Sequence, residues 1–479
     1  MTGTRLSSAD CAALRQALAE LPRADNLSPN QPIDPEDVYT LPEHRAALDP
    51  DRALVVGNRG MGKSFWAHAL AQEGTRENAA KILSFKELAR TTVHIGFNAG
   101  EEGPFAPSAE VIAQAKAKNP EMIWRAVLVR IAASVTNDKI PKRFGDLVEW
   151  VAADAERAAG MMTRTDAKLV ASGNKLLVVF DALDRLGDTW QTVQDLTRGL
   201  LKQTLKVNSY RAIRMKLFMR IDQFSDRSLF NFPDASKIQN NRVDLFWRDT
   251  NLYGLLLMRL SRSGAARTLE RLIPTKQALR EAFEQPDRQK QVIDTIAGEF
   301  MGSDAKRGRV YTWLPLHLAD AFMHTSPRTF LTVWREAGRH TPAPKDRAVD
   351  HLGIAEGVRK ASEDRLHELK EDYWWITAAL APLRDELVPM PIDELRELWR
   401  QQGTAKSIMR ESSATKRLAP VQLVATDPGD QEAALVSALQ AIGVLEIRSN
   451  QKINVPDIFR IEAQIKRKGG VKPPRRTGS

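Results

Sequence analysis

The chain has a single cysteine, Cys11, among 479 residues. That excludes an intramolecular disulfide and suits a reducing compartment, so a cytoplasmic location is expected. With one thiol and eight scattered histidines there is no H-E-x-x-H and no paired ligand spacing. Zinc chemistry therefore has no support. No G-x-S-x-G element occurs either, which removes the serine hydrolases. No apolar run approaches the roughly eighteen residues that a membrane span needs. The first stretch, MTGTRLSSADCAALRQALAEL, carries acidic residues and no long apolar segment, so it does not read as a secretory signal. Acidic residues are in turn missing from 466–479, which holds Lys466, Arg467, Lys468, Lys472, Arg475 and Arg476. Such a tail attracts polyanions, nucleic acid among them; a solvated tail with no ligand is the alternative.

What is present is ordinary globular composition, 43% hydrophobic and 27% charged, in a chain too long for one core. About two to four domains are expected. Residues 8–21 have helical spacing. The proline-rich, acidic stretch 22–50 then reads as an extended lead segment. In it, Tyr39 and His44 are candidates to stack on a nucleotide base, with simple packing of the segment as the alternative.

Ala53–Ser64, ALVVGNRGMGKS, organises the rest. An apolar strand runs into Gly57, Asn58, Arg59, Gly60, Met61, Gly62, Lys63 and Ser64, which fit G-x-x-x-x-G-K-[ST] in full. Glycines let such a loop curl so that backbone N–H groups form an anion nest, and a helix starting near Gly62 turns its positive end to the same point. Lys63 then reaches the β- and γ-phosphates and Ser64 offers its hydroxyl to Mg²⁺, with Phe65 opening the following helix beside the nucleotide. ATP with Mg²⁺ is the expected ligand.

Downstream, Thr92–Phe97 reads as a second strand. Helices are expected at about 109–117, 121–136, 143–158 and 163–171, with Trp124 and Trp150 in the core. Lys175–Asp184, KLLVVFDALD, is an apolar run of the kind covered on both faces of a sheet. An aspartate at the carboxyl end of such a strand lies beside the P-loop, which makes Asp181 the second metal-holding residue. Asp184 is the candidate to orient or deprotonate water, or else a surface turn residue. After a helix at about 189–206, the strand Met215–Ile221 ends at Arg220 and Asp222, candidates for a γ-phosphate sensor; Arg220 as an ion-paired strand residue is the alternative. RVDLFW (242–247) reads as a last strand and 250–262 as an apolar helix.

Residues 268–340 read as an all-α lid, in which Pro327 starts a helix and Arg328 is a further nucleotide-contact candidate. TPAPK (341–345) reads as a linker before an amphipathic helix of about 30 residues. Helical stretches at 391–402 and 430–442 then precede two alternating strands around Ser449–Gln451, the pattern of a winged helix. Its helix before the hairpin, QEAALVSALQAIG, lacks Lys and Arg, which favours contact with protein over DNA reading. The expected segments are 1–48 (helix and lead), 49–250 (P-loop core), 251–345 (lid), 346–465 (linker helix and wing) and 466–479 (basic tail).

Taken together, GNRGMGKS, VVFDALD, MKLFMRID and the trailing helices and wing resemble the STAND and related AAA+-like P-loop ATPases of bacteria, over roughly 40–345 and more loosely the wing. The resemblance implies an α/β fold, a parallel sheet flanked by helices, followed by a helical lid and a winged helix. It further implies a nucleotide-dependent switch or assembly scaffold in signalling or anti-phage defence, working as a homo-oligomer or with a partner protein. DALD matches the group's D-[GA]-hydrophobic-D; Arg185 stands where Glu is usual, which implies slow hydrolysis. A DNA-acting motor or loader using wing and tail, and an ATP-binding scaffold with little turnover, are the rival readings.

Overall fold

The computed structural model describes residues 6–22, 32–98, 103–115, 119–187, 189–415, 417, 419–424 and 430–469. They fall into two compact units: Asp25–Leu245, and Met1–Ala24 together with Phe246–Ser479. The core segment expected from the sequence lies in the first. Lid and wing lie in the second, and so does the first helix, α1 (Ser8–Ala19). That helix starts at a reciprocal cap: the Ser7 hydroxyl accepts the Asp10 N–H at 3.1 Å and the Asp10 carboxylate accepts the Ser7 N–H at 3.2 Å.

In the first unit β1 (Leu54–Gly57) leads into α2 (Lys63–Ala71), followed by β2 (Thr91–Phe97). Then come α3 (Pro120–Thr136), α4 (Phe144–Ala153), α5 (Ala155–Ser172) and β3 (Lys175–Phe180). After α6 (Trp190–Val207) follow β4 (Ile213–Arg220) and β5 (Arg242–Asp244). The five strands are parallel in the order β2-β3-β4-β1-β5. Strand β4 is thus inserted between the P-loop strand and the strand that ends at Asp181. The apolar run of β3 is covered on both faces, with Leu177, Val178, Val179 and Phe180 all fully buried. Trp124 on α3 is core, edge-on to Phe97 and Phe180 at 6.3 and 5.6 Å, its indole N–H donating to Leu196 O at 2.8 Å.

Two expectations need correction here. Trp150 is half-buried at the edge, with the Arg157 guanidinium 3.7 Å over its ring. The helices expected at 143–158 and 163–171 divide at Asp154 instead, because its carboxylate accepts the Arg157 N–H at 2.8 Å and caps α5.

The amino-terminal edge of this sheet carries a closed polar cluster. Lys216, in mid β4, is fully buried and donates to the carbonyls of Asp49 (2.9 Å) and Arg52 (2.6 Å). Burial pushes its ammonium down to about 7. Beside it the Asp51 carboxylate accepts from Lys175 at 2.7 Å and Arg214 at 2.6 Å. Lys175 also lies 3.4 Å from Glu87. The carboxylates of Asp49, Asp51 and Glu87 gather within 4.8 Å, but these cations already balance them.

The second unit is mostly helical: α7 (Asp249–Ser261), α8 (Val310–Leu318), α9 (Pro327–Arg339) and α10 (His351–Asp372). Pro327 does open α9, after Ser326 as cap. Helix α1 docks on α9, with Leu14 and Leu18 fully buried, each worth about 1.5–3 kcal/mol relative to exposure. The backbones approach so closely that a Cβ on Gly338 would lie 2.7 Å from Ala19 N. Helix α10 has 22 residues, shorter than expected: the chain turns at Tyr373 and Trp375 enters the core, 4% exposed.

The wing follows: β6 (Leu387–Val388), β7 (Met390–Pro391), α11 (Ile392–Gln402), α12 (Thr404–Thr415) and α13 (Gln431–Ala441). The hairpin β8 (Glu446–Ile447) and β9 (Lys452–Asn454) turns at Gln451 (φ 60°), and β9 pairs antiparallel with β7 as well. Strand β10 (Lys466–Arg467) runs parallel to β6. Helix α13 is itself largely core, with Leu435 and Leu439 fully buried and Ser437 its one exposed residue. The fold is thus a P-loop α/β sheet flanked by helices, with a helical lid and a carboxyl-terminal winged helix. Among the described residues no helix is long and apolar enough to cross a membrane.

Candidate nucleotide site

Strand β1 ends at Gly57, where a Cβ would sit 3.2 Å from Leu245 O, so the β5 end presses on the loop and a side chain is excluded. Gly60 and Gly62 take φ 81° and 99°. At Gly62, the cap of α2, an added Cβ would meet nothing within 4 Å; glycine is needed there for its backbone angle, not for room. A left-handed residue immediately before a helix start turns consecutive amides toward one point. Asn58 and Met61 are buried, Arg59 and Phe65 half-buried, and Phe65 stands edge-on to Trp66 at 5.5 Å.

The Lys63 ammonium donates to Gly57 O at 2.8 Å and Asn58 O at 2.9 Å, which holds it under the curl. Burial lowers it to about 8; Asp181 works against that shift, while Arg220 adds to it. Asp181, the first residue past β3, is 4% exposed and its N–H donates to Phe97 O at 3.0 Å. Burial raises its carboxyl, opposed by a hydrogen bond with the Ser64 hydroxyl and by the Lys63 charge. Lys63, Ser64 and Asp181 therefore meet, as their spacing predicts.

Beyond Asp181, Ala182 adopts φ 55° and opens a single 3-10 turn, Leu183–Arg185, that holds Asp184 and Arg185 exposed. Arg220 closes β4 beside Gly57 in the register of β1 and β4. Its Nε and Nη2 lie 3.0 and 3.1 Å from the two Asp222 oxygens, and its Nη1 is 3.7 Å from Asp184. The ion-paired alternative for Arg220 is thus realised, with two of the other candidates as its partners.

Outside this cluster, His44 takes the packing alternative: it is buried, and Trp66 Nε1 lies 3.3 Å from its Nδ1. Tyr39 is half-buried in the lead segment. Arg328 belongs to the second unit, where it donates to Glu368 at 2.7 Å. Lys472, Arg475 and Arg476 of the basic tail lie outside the described residues.

One neighbour of the site escaped the sequence reading. His68 lies one turn after Ser64 on α2; its Nε2 is buried with no hydrogen-bond partner. Burial lowers its ring, against the pull of the Asp181 charge. The i, i+4 spacing from Ser64 was the available signal.

The residues suit a polyphosphate with a hard divalent cation. They supply a glycine curl at a helix start, one ammonium, and a hydroxyl and carboxylate already within hydrogen-bond reach of each other.

No family model matches the chain, nor does any curated protein. Among solved structures the chain is similar to the Aeropyrum pernix ORC2 protein in its ADPNP–ADP complexes. Identity is 13%, coverage 88% of this chain and 91% of that one, and the TM-score 0.38. The A. pernix ORC1 protein in complex with DNA is 14% identical, covering 94% and 96%, at a TM-score of 0.36. Cdc6p from Pyrobaculum aerophilum is 13% identical, covering 90% and 96%, at 0.31. At such scores the likenesses carry nothing about function to this chain.

Proposed function

We propose that the chain is a Mg²⁺-ATP-binding switch ATPase with slow turnover. The observation that supports this most is the meeting of Lys63, Ser64 and Asp181 where β1 turns into α2. In this reading the amides after Gly57 and the Lys63 ammonium grip the phosphates, and Ser64 and Asp181 hold Mg²⁺. The cation neutralises phosphate charge when bound. Asp184 orients the attacking water. A difference of a few kcal/mol between triphosphate and diphosphate contacts is enough to bias a two-state protein. On the resemblance to STAND and AAA+-like ATPases, the switch serves bacterial signalling or anti-phage defence, with a partner protein or further copies of the chain.

A second reading, an ATP-binding scaffold with little hydrolysis, is favoured by one observation: Asp184 is followed by Arg185 and faces Arg220 at 3.7 Å, so cations surround the group that would activate water. DNA reading by the wing has less support, because α13 offers no cation and is largely core.

Calorimetric titration of the folded protein with Mg²⁺-ATP tests the proposal. Wild type is expected to bind, and Lys63→Ala to lose at least about 100-fold in affinity, roughly 2.7 kcal/mol. A folded wild type that takes up no ATP would sink it. Turnover raised by added DNA would instead favour a DNA-acting enzyme.

A further inference from the structure

The Arg220 guanidinium makes two contacts of different kinds. Toward Asp222 it presents Nε and Nη2 at 3.0 and 3.1 Å, a two-point fork that fixes its plane. Toward Asp184 it presents Nη1 at 3.7 Å, too long for a hydrogen bond and weakened by water, since the Asp184 side chain is 34% exposed. The fork is the mount and the second contact is loose. The mount stands at the end of β4, in register with Gly57. The Arg220 side chain is only 14% exposed. A cation so placed lies next to the loop whose carbonyls hold Lys63.

We infer that Arg220 tells ATP from ADP: it exchanges the Asp184 carboxylate for the γ-phosphate while Asp222 keeps its guanidinium oriented. This rests on the nucleotide-site reading above. A terminal phosphate carries more charge than one screened carboxylate and offers several acceptor oxygens, so it outcompetes Asp184 for Nη1. ADP brings no such group, and the contact with Asp184 stays. The exchange also frees Asp184 from its cation only when triphosphate is bound. Arg220, Asp184 and Asp222 all lie in one unit of one chain, so no second copy has to supply this cation. Arg220 is the discriminating residue and Asp222 a positioning residue that acts through it.

The test is the ratio of Mg²⁺-ATP to Mg²⁺-ADP affinity, measured by calorimetry on wild type, Arg220→Ala, Arg220→Gln, Asp222→Asn and Asp184→Asn, with thermal melts to confirm folding. Arg220→Ala is expected to lose about tenfold or more for ATP and less than about twofold for ADP. Asp222→Asn should lose about three- to tenfold for ATP alone, because the guanidinium is no longer held in plane. Asp184→Asn should keep or tighten ATP binding. If Arg220→Ala melts early, Arg220→Gln is read by the same ratio. Equal losses for both nucleotides, or no loss for either, would overturn the inference, and an unchanged Asp222→Asn would overturn the positioning role. A ratio that climbs with protein concentration would assign the cation to a second copy instead. Failure of wild type to bind either nucleotide is a separate result and counts against the site itself.

Discussion

The two edges of the parallel sheet are built from nearly the same parts. At the carboxyl edge Lys63 donates to two backbone carbonyls, and an arginine sits between two aspartates. At the amino edge Lys216 donates to two backbone carbonyls, and an aspartate sits between an arginine and a lysine. The difference lies in what surrounds each ammonium. Lys63 begins a helix behind two glycines in left-handed conformation, where further amides remain to be matched. Lys216 is 0% exposed within a strand, and its neighbours are already paired. Charge inventory alone cannot separate a binding site from a structural bolt. Backbone geometry does.

Substitutions can break that comparison, the strongest first. Asp181→Asn should cost about 10³-fold in ATP turnover, roughly 4 kcal/mol, while ATP affinity falls less than about tenfold. Equal losses in steady-state turnover and in binding would make Asp181 a mere folding residue. Lys216→Ala should cost about 2–4 kcal/mol in urea unfolding, since it opens a cavity and strands the carbonyls of Asp49 and Arg52. Its nucleotide affinity should be unchanged. A loss of ATP binding there, in protein shown to be folded, would erase the distinction between the edges.

Lys216 also predicts a pH dependence. The unfolded chain keeps this proton to near 10.5, whereas the folded chain releases it near 7. Between those values the unfolded state binds more protons, so stability rises with pH, by at most about 1.4 kcal/mol per unit. The contribution is complete above 10.5 and lost as pH falls through 7. Lys216→Met should flatten this rise when unfolding is followed from pH 7 to 10; parallel curves for the two proteins would refute it. Gly62→Ala forces a Cβ into φ 99° and should cost about 1–2 kcal/mol, with weaker ATP binding. Asp51→Asn is the smallest: its carboxylate is 43% exposed, so less than about 1 kcal/mol is expected, shrinking further in salt.

These edges also explain what the sequence could reveal. The P-loop is legible because its chemistry is contiguous: eight residues carry the turn, the ammonium and the hydroxyl. Asp181 is legible because a strand buried on both faces leaves an uninterrupted apolar run that stops at a charge. Lys216 was passed over inside MKLFMRI, since only the folded sheet brings Asp49 and Arg52 to its tip. The Arg220 pairings were beyond reach for the same reason: Asp184 and Asp222 are separated by the whole of α6 and β4. Helix α1 could be placed as a helix but not assigned to its unit, because its partner α9 lies some three hundred residues on. The α13 stretch was correctly read as lacking cations, yet its deep burial depends on the hairpin and α11 folding around it.

Because α1 is stitched to α9, the P-loop unit is an insertion within the other unit's chain, leaving through one covalent crossing and returning through another. A body tethered twice cannot swivel freely, as a bead on a single thread can. Whatever nucleotide does to the first unit must therefore be delivered along two leashes at once, and cutting either one should uncouple the pair without unmaking the phosphate curl.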